Sequence, residues 1–175
     1  MQIRIIMKKF FSTSIILIFI AIAMVSCSIK QDSNVISREF QAEQWGRFDF
    51  LEADYNVVKA PIMADLVMNL VVSEVYPSLY PYHDKDEEFF SIVLSINAPD
   101  GSRRVREFRF RLKDSNGTFK SEKVDGYYHF ELPLINEMSF NEVGNYHFKI
   151  ENKYTKDPLC GIKSLNISCL QIKQL

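Results

Sequence analysis

The stretch Phe90-Ser91-Ile92-Val93-Leu94-Ser95-Ile96-Asn97, followed by Pro99-Asp100-Gly101-Ser102, decides the fold. Phe90, Ile92, Leu94 and Ile96 fall on one side of an extended chain, with Ser91, Ser95 and Asn97 on the other. That two-residue period is the signature of a half-buried β-strand, because successive side chains point to opposite faces. The Pro-Asp-Gly-Ser run is a turn signal. After it Phe108, Phe110 and Leu112 alternate with Arg109 and Arg111, so the chain returns as a second strand.

The same period recurs outward in both directions. Leu66, Met68, Leu70 and Val72 line one face of an earlier strand, and Trp45, Phe48 and Phe50 open the folded region. Downstream, Asn116-Gly117 marks another turn and residues 124–132 read as a strand through Tyr128, Phe130 and Leu132. Tyr146, Phe148 and Ile150 alternate with His147, Lys149 and Glu151. The last strand carries Leu165, Ile167 and Cys169 and changes face near Leu170 and Ile172 through a bulge. Residues 133–143 read as a long connection with room for a helical turn. Short strands between turns, with no amphipathic helix, predict an all-β, antiparallel, immunoglobulin-like β-sandwich. Phe140, Gly144 and Tyr146 before an alternating strand fit either a tyrosine corner or a plain core tyrosine.

The N-terminus has a different composition. Arg4, Lys8 and Lys9 precede an apolar run from Phe10 to Val25, and Met24-Val25-Ser26-Cys27 closes it. Positive, apolar and small-residue zones in that order make residues 1–26 a secretory signal. Its apolar run of 16 residues is short against the roughly 20 needed for a membrane span. A large apolar residue, Val25 and Ser26 before the cysteine form a lipobox, in which the Cys27 thiol is the nucleophile that carries diacylglycerol as a thioether. Acyl chains at about 0.8 kcal/mol per buried CH₂ then hold the chain on a membrane. Residues 27–44 read as the lipidated N-terminus and a flexible tether, ending in a short strand near Val35–Gln41, and 45–175 as the sandwich domain. Taking 26 from 175 leaves 149 residues, enough for one core. Removing three basic and no acidic residues from totals of 21 and 22 leaves 18 against 22, a net charge of −4. That balance is ordinary for solubility and is not a nucleic-acid signature, so no nucleic-acid partner is expected. Cys160 and Cys169, nine residues apart, would lie about 30 Å apart along one strand, so both are expected to be free, buried thiols.

Chemical motifs are scarce. His83, His129 and His147 form no metal-spaced pair, and no nucleophile elbow, P-loop, HExxH or CxxC occurs. No metal, cofactor or catalytic residue is expected, and the chain is not expected to be an enzyme. Asp84-Lys85-Asp86-Glu87-Glu88 lacks the glycine of a calcium loop and reads as solvated. Two segments suit a partner. Tyr76, Tyr80 and Tyr82, stiffened by Pro77 and Pro81, could present an aromatic platform for protein or glycan, or pack over one end of the sandwich. The stretch holding Arg103, Arg104, Arg106, Arg109 and Arg111 reads as a docking edge for an acidic partner or lipid headgroup, or as a charged strand that resists edge pairing. Tyr76, Tyr80, Tyr82, Arg104 and Arg106 are the candidate partner-binding residues.

In their order and spacing, several elements together resemble the GldH gliding-motility lipoproteins of Bacteroidetes. They are the lipobox cysteine, Trp45 with Phe48, Leu66–Val72 leading into Tyr80-Pro81-Tyr82, and the Pro99-Asp100-Gly101 turn. Gly144-Asn145-Tyr146-His147-Phe148 and Leu159-Cys160-Gly161-Ile162 complete the set. Gly117-Thr118-Phe119 only partly fits the aromatic-glycine segment such chains carry after the second turn. The resemblance implies a non-catalytic accessory lipoprotein of the cell envelope. It would be an adaptor or structural component associated with the gliding and type IX secretion machinery, whose envelope proteins would be its partners. The membrane is reached through the lipid on Cys27. Ser28 in place of an aspartate retention signal points to the outer membrane rather than the inner. The competing expectation is a surface lipoprotein that binds glycan or peptide.

Overall fold

The computed structural model describes residues 32–77 and 89–174. The signal segment, Cys27, Tyr80, Tyr82, His83 and the acidic run at 84–88 lie outside them.

The strands are β1 (Asp32–Glu39), β2 (Gln44–Trp45), β3 (Leu51–Val57), β4 (Ile62–Val72), β5 (Phe90–Asn97) and β6 (Arg103–Phe110). They continue with β7 (Lys123–Val124), β8 (Tyr127–Phe140), β9 (Gly144–Asn152), β10 (Leu159–Cys160) and β11 (Ile162–Gln174). A single 3₁₀ turn at Gln41–Glu43 joins β1 to β2. One sheet runs β1-β11-β4-β8-β7 and the other β3-β9-β5-β6, with the small β10-β2 pair at one end. All pairings are antiparallel, and the two main sheets form a sandwich.

The alternating strands behave as their sequence predicts. In β4, Ile62, Ala64, Leu66, Met68, Leu70 and Val72 are all buried, and in β5 so are Phe90, Ile92, Leu94 and Ile96. Tyr146, Phe148 and Ile150 of β9, in the same sheet as β5, are buried as well. At about 25 cal/mol per Å² of apolar surface removed from water, this two-sided layer is the main source of stability. Trp45 is fully buried, with its ring tilted against Phe40 at 5.3 Å and Phe90 at 6.4 Å. Its indole N–H donates to the Asp49 carbonyl at 2.7 Å, satisfying a donor that burial would otherwise strand. Phe48, by contrast, is 78% exposed.

Several expectations need correction. The domain begins at Asp32, inside the segment expected to be tether, because β1 pairs with β11 from Asp32↔Leu170 to Glu39↔Ser164. A register shift between Asn34 and Ile36 puts consecutive Val35 and Ile36 in the core, which erases the two-residue period. Residues 133–143 are not a connection with a helical turn, since β8 runs on to Phe140. Two register shifts opposite Leu66 break its alternation. Glu137 takes a left-handed φ of 53°, with its N–H held by Asp65 Oδ1 at 2.8 Å. Pro133 fits because β7 reaches only Tyr127 and Tyr128, leaving the rest of β8 as an edge. Finally, β1 and β11 are neighbours in one sheet, whereas the immunoglobulin order places its first and last strands in different sheets. The sandwich stands; the immunoglobulin-like detail is not reproduced.

The tyrosine corner is present as a local device. The Tyr146 hydroxyl donates to the Glu142 carbonyl at 3.3 Å and accepts the Glu142 N–H at 3.2 Å. Both cysteines are free, with Cys169 buried as expected and Cys160 only half-buried. Cys160 differs because it belongs to β10, separated from β11 by Gly161.

Candidate functional site

The two sides of the sandwich are unlike. On one, β1 packs against β3 and joins the sheets. On the other, the edges are β6 and, past Tyr128, β8, and no strand among the described residues bridges them.

The register of β5 against β6 fixes which side chains look into this open seam. Ile96, Leu94, Ile92 and Phe90 oppose Arg104, Arg106, Phe108 and Phe110. The two arginines therefore occupy the face that is buried one strand away, yet both are exposed. Phe108 and Phe110 are half-buried, with ring planes 1° apart and centroids at 6.3 Å. Across the seam β8 offers Tyr128, Phe130 and Leu132, also half-buried against the core. Arg104 shares a cleft of about 130 Å³ with Ile96, Met138, Ser139, Glu142 and Tyr146, so strands β6 and β8 border a common opening. Ser102 holds the turn at its rim through hydrogen bonds to Asp100, which keep that carboxyl below the usual carboxylate range.

Arginine chemistry along β6 is uneven. Arg103 donates to Ser95 Oγ at 3.2 Å. Arg109 and Arg111 lie over the Phe89 ring at 4.6 and 5.1 Å, within cation–π range. Arg106 stands 5.8 Å from the Phe108 ring. No carboxylate among the described residues comes within ion-pair distance of Arg104 or Arg106. Val105, on the opposite face, is 58% exposed.

Tyr76 does not sit where a recognition platform needs it. It is 4% exposed, and its ring packs 6.4 Å from Phe119, which stacks on Tyr128 at 3.9 Å. Burial pushes its phenol far above the ordinary value. Lys113 donates to the Tyr76 carbonyl at 3.1 Å and covers Phe119 at 4.3 Å. Partial burial lowers its ammonium pKa. The backbone at Tyr76 also leaves no room at Gly161, where an added Cβ would lie 2.1 Å from the Tyr76 nitrogen. Tyr76 is thus a core residue closing one end, and Tyr80 and Tyr82 lie outside the described residues. Of the two readings the sequence leaves open for Tyr76, display or packing over one end, the approach of Gly161 and the Phe119 contact support the second. The alternation of Phe108, Phe110, Phe130 and Leu132 marks them as strand residues, but cannot show that the facing layer ends before it covers them.

His147 Nδ1 lies 2.8 Å from Asp54 Oδ1 on the outer face of β9, and no hydroxyl or thiol among the described residues bonds the ring. His129 is exposed on β8. No group of three or more metal-ligating side chains occurs among the described residues. No helix among them is long and apolar enough to cross a membrane.

Comparisons with known proteins separate fold from family. No curated protein matches the chain. An exo-β-1,3-galactanase from Phanerochaete chrysosporium aligns at 10% identity with a TM-score of 0.33, over 78% of this chain and 27% of its own. An uncharacterized protein from Listeria monocytogenes aligns at 11% identity and a TM-score of 0.30, over 81% of this chain and 11% of its own. The chain thus spans about a quarter and a tenth of those two proteins, and scores this low carry no functional argument. A family model described as GldH lipoprotein matches residues 36–168.

Proposed function

The chain belongs to the GldH lipoprotein family, a lipid-anchored envelope protein by that membership, and we propose that it works there by attachment and docking rather than by turnover. In this reading the lipid on Cys27 holds the sandwich at the outer membrane, and the domain is an adaptor for envelope proteins of the gliding and type IX secretion machinery. One observation carries the docking half. In a mature chain of net negative charge, β6 gathers five arginines in and just beyond one edge strand, and Arg104 and Arg106 face an open seam with no carboxylate partner among the described residues. Strands displaying half-buried Phe108 and Phe110 beside the guanidinium groups of Arg104 and Arg106 suit a protein surface that is completed by something else.

Gentle solubilisation of native membranes, followed by size separation, tests this reading. The protein is expected to travel with a larger envelope assembly, and Cys27→Ala is expected to release it from the membrane fraction. A wild-type protein that elutes alone and monodisperse would overturn the adaptor role.

A further inference from the structure

The docking surface can be specified further, resting on the adaptor reading above. We propose that β6 is a strand-addition site: an extended acidic segment of a protein partner pairs with its free edge and sets carboxylates against Arg104 and Arg106.

Three features converge on that occupant. The first is backbone. β6 spends one edge on β5 over Arg103 to Phe110, and no strand among the described residues takes the other. An edge of eight residues offers a row of unpaired N–H and C=O groups, which is the template for β-augmentation. The second is the alternation of its side chains. A strand laid beside β6 would place every second residue next to Arg104, Arg106, Phe108 and Phe110 on the seam face. The intervening residues would meet Arg103, Val105 and Glu107 on the outer face. The seam face therefore asks for acidic residues first and apolar ones further along. The third is charge. Among residues 103–111 there are five arginines against Glu107 alone. A second copy of this chain would bring arginine rows together, and like charges directly opposite one another destabilise a strand pair. That disfavours self-pairing and selects an acidic strand.

Arginines that resist unwanted pairing and arginines that choose a partner use the same physics, since specificity is a difference between affinities. A neutral or basic strand gains the backbone hydrogen bonds but leaves the guanidinium groups unanswered. An acidic one gains both.

The test uses the mature lipidated protein in zwitterionic nanodiscs. The probe is a fluorescent nine-residue peptide whose alternate positions carry two glutamates and then two valines, with threonine between, beside a counterpart with lysine for each glutamate. Anisotropy reads binding and amide hydrogen exchange reads its place. The acidic peptide is expected to bind and the basic one not to. Exchange at 103–110 is expected to slow on binding, with β5 and β9 unchanged. The double variant Arg104→Glu with Arg106→Glu is expected to weaken binding by at least about tenfold, with unchanged thermal unfolding showing that it still folds. Equal binding of both peptides, binding without protection at 103–110, or an unaffected double variant would each overturn the proposal. So would protection of β6 by nanodiscs containing phosphatidylglycerol that the peptide cannot relieve, which would assign the edge to lipid. Peptide binding at β6 by a protein that elutes alone from native membranes would sink the adaptor reading and leave this site standing. Co-elution without peptide binding would do the reverse.

Discussion

Strands β5 and β6 are neighbours of equal length in the same register, and they serve opposite ends. Along the face they share, β5 presents Phe90, Ile92, Leu94 and Ile96, each no more than 3% exposed. β6 presents Phe110, Phe108, Arg106 and Arg104, passing from half-buried to exposed. Both are extended strands of one antiparallel sheet, but β5 is paired on both sides, with β9 and β6, while β6 is paired with β5 alone. The facing layer differs too: it covers β5 and stops short of β6. Burial thus decides which strand is scaffold and which is available, and charged residues appear where burial ends.

Cutting into the covered strand should give the largest effect. Leu94→Ala, at a fully packed position directly opposite Arg106, is expected to cost about 2–5 kcal/mol, read by urea unfolding. Gly161→Ala should come next. Its φ of 77° disfavours any Cβ, and the Tyr76 backbone occupies the space that Cβ would need. We expect a loss of roughly 2–3 kcal/mol and loosening of the Tyr76 and Phe119 packing, visible as a near-ultraviolet circular dichroism change.

Alkaline pH probes the same covered interior. Burial raises the thiol of Cys169 and the phenol of Tyr76 above their ordinary values. The folded chain therefore keeps protons that the unfolded chain releases, and stability falls as pH rises. The fall should begin near the ordinary thiol value of about 8.5 and steepen beyond the phenol value of about 10. Cys169→Ala should remove the first part of the pH dependence, whatever it does to stability at neutral pH. A flat profile from pH 8 to 11 would contradict the assigned burial.

Smaller still is Tyr146→Phe, which keeps the ring against Phe140 at 4.9 Å and loses the hydroxyl contacts with Glu142. About 1 kcal/mol is expected. Arg106→Ala should change stability least, by under about 0.5 kcal/mol, although it stands directly across from Leu94. If Arg106→Ala and Leu94→Ala cost the same, the contrast between the two strands fails.

This contrast also explains what could be read from sequence. β4, β5, β9 and most of β11 were legible because one face is buried along their whole length, so the two-residue period is unbroken. β1 and the second half of β8 were not, since the bulges at Asn34–Ile36 and opposite Leu66 shift the phase. Nothing in local sequence announces a left-handed residue such as Glu137. The site was half legible. A run of arginines is visible in any reading, and Arg104 and Arg106 were found that way. That they lie on the core-side face, beside half-buried Phe108 and Phe110, depends on where the second sheet ends. Tyr76 is ambiguous in sequence for the converse reason: beside Pro77 it fits display or packing equally, and a tertiary contact with Gly161 and Phe119 takes it inside.

The account turns on β6 being occupied in the cell. Site-specific photo-crosslinking in growing cells tests that most directly, with the photoreactive group in place of exposed Val105 on β6 and, as a control, exposed Val58 beyond β3. One discrete adduct with an envelope protein is expected from position 105, lost when Arg104 and Arg106 are both changed to glutamate, and absent from position 58. The same adducts from both positions, or none from 105 in membranes where the protein is abundant, would contradict it.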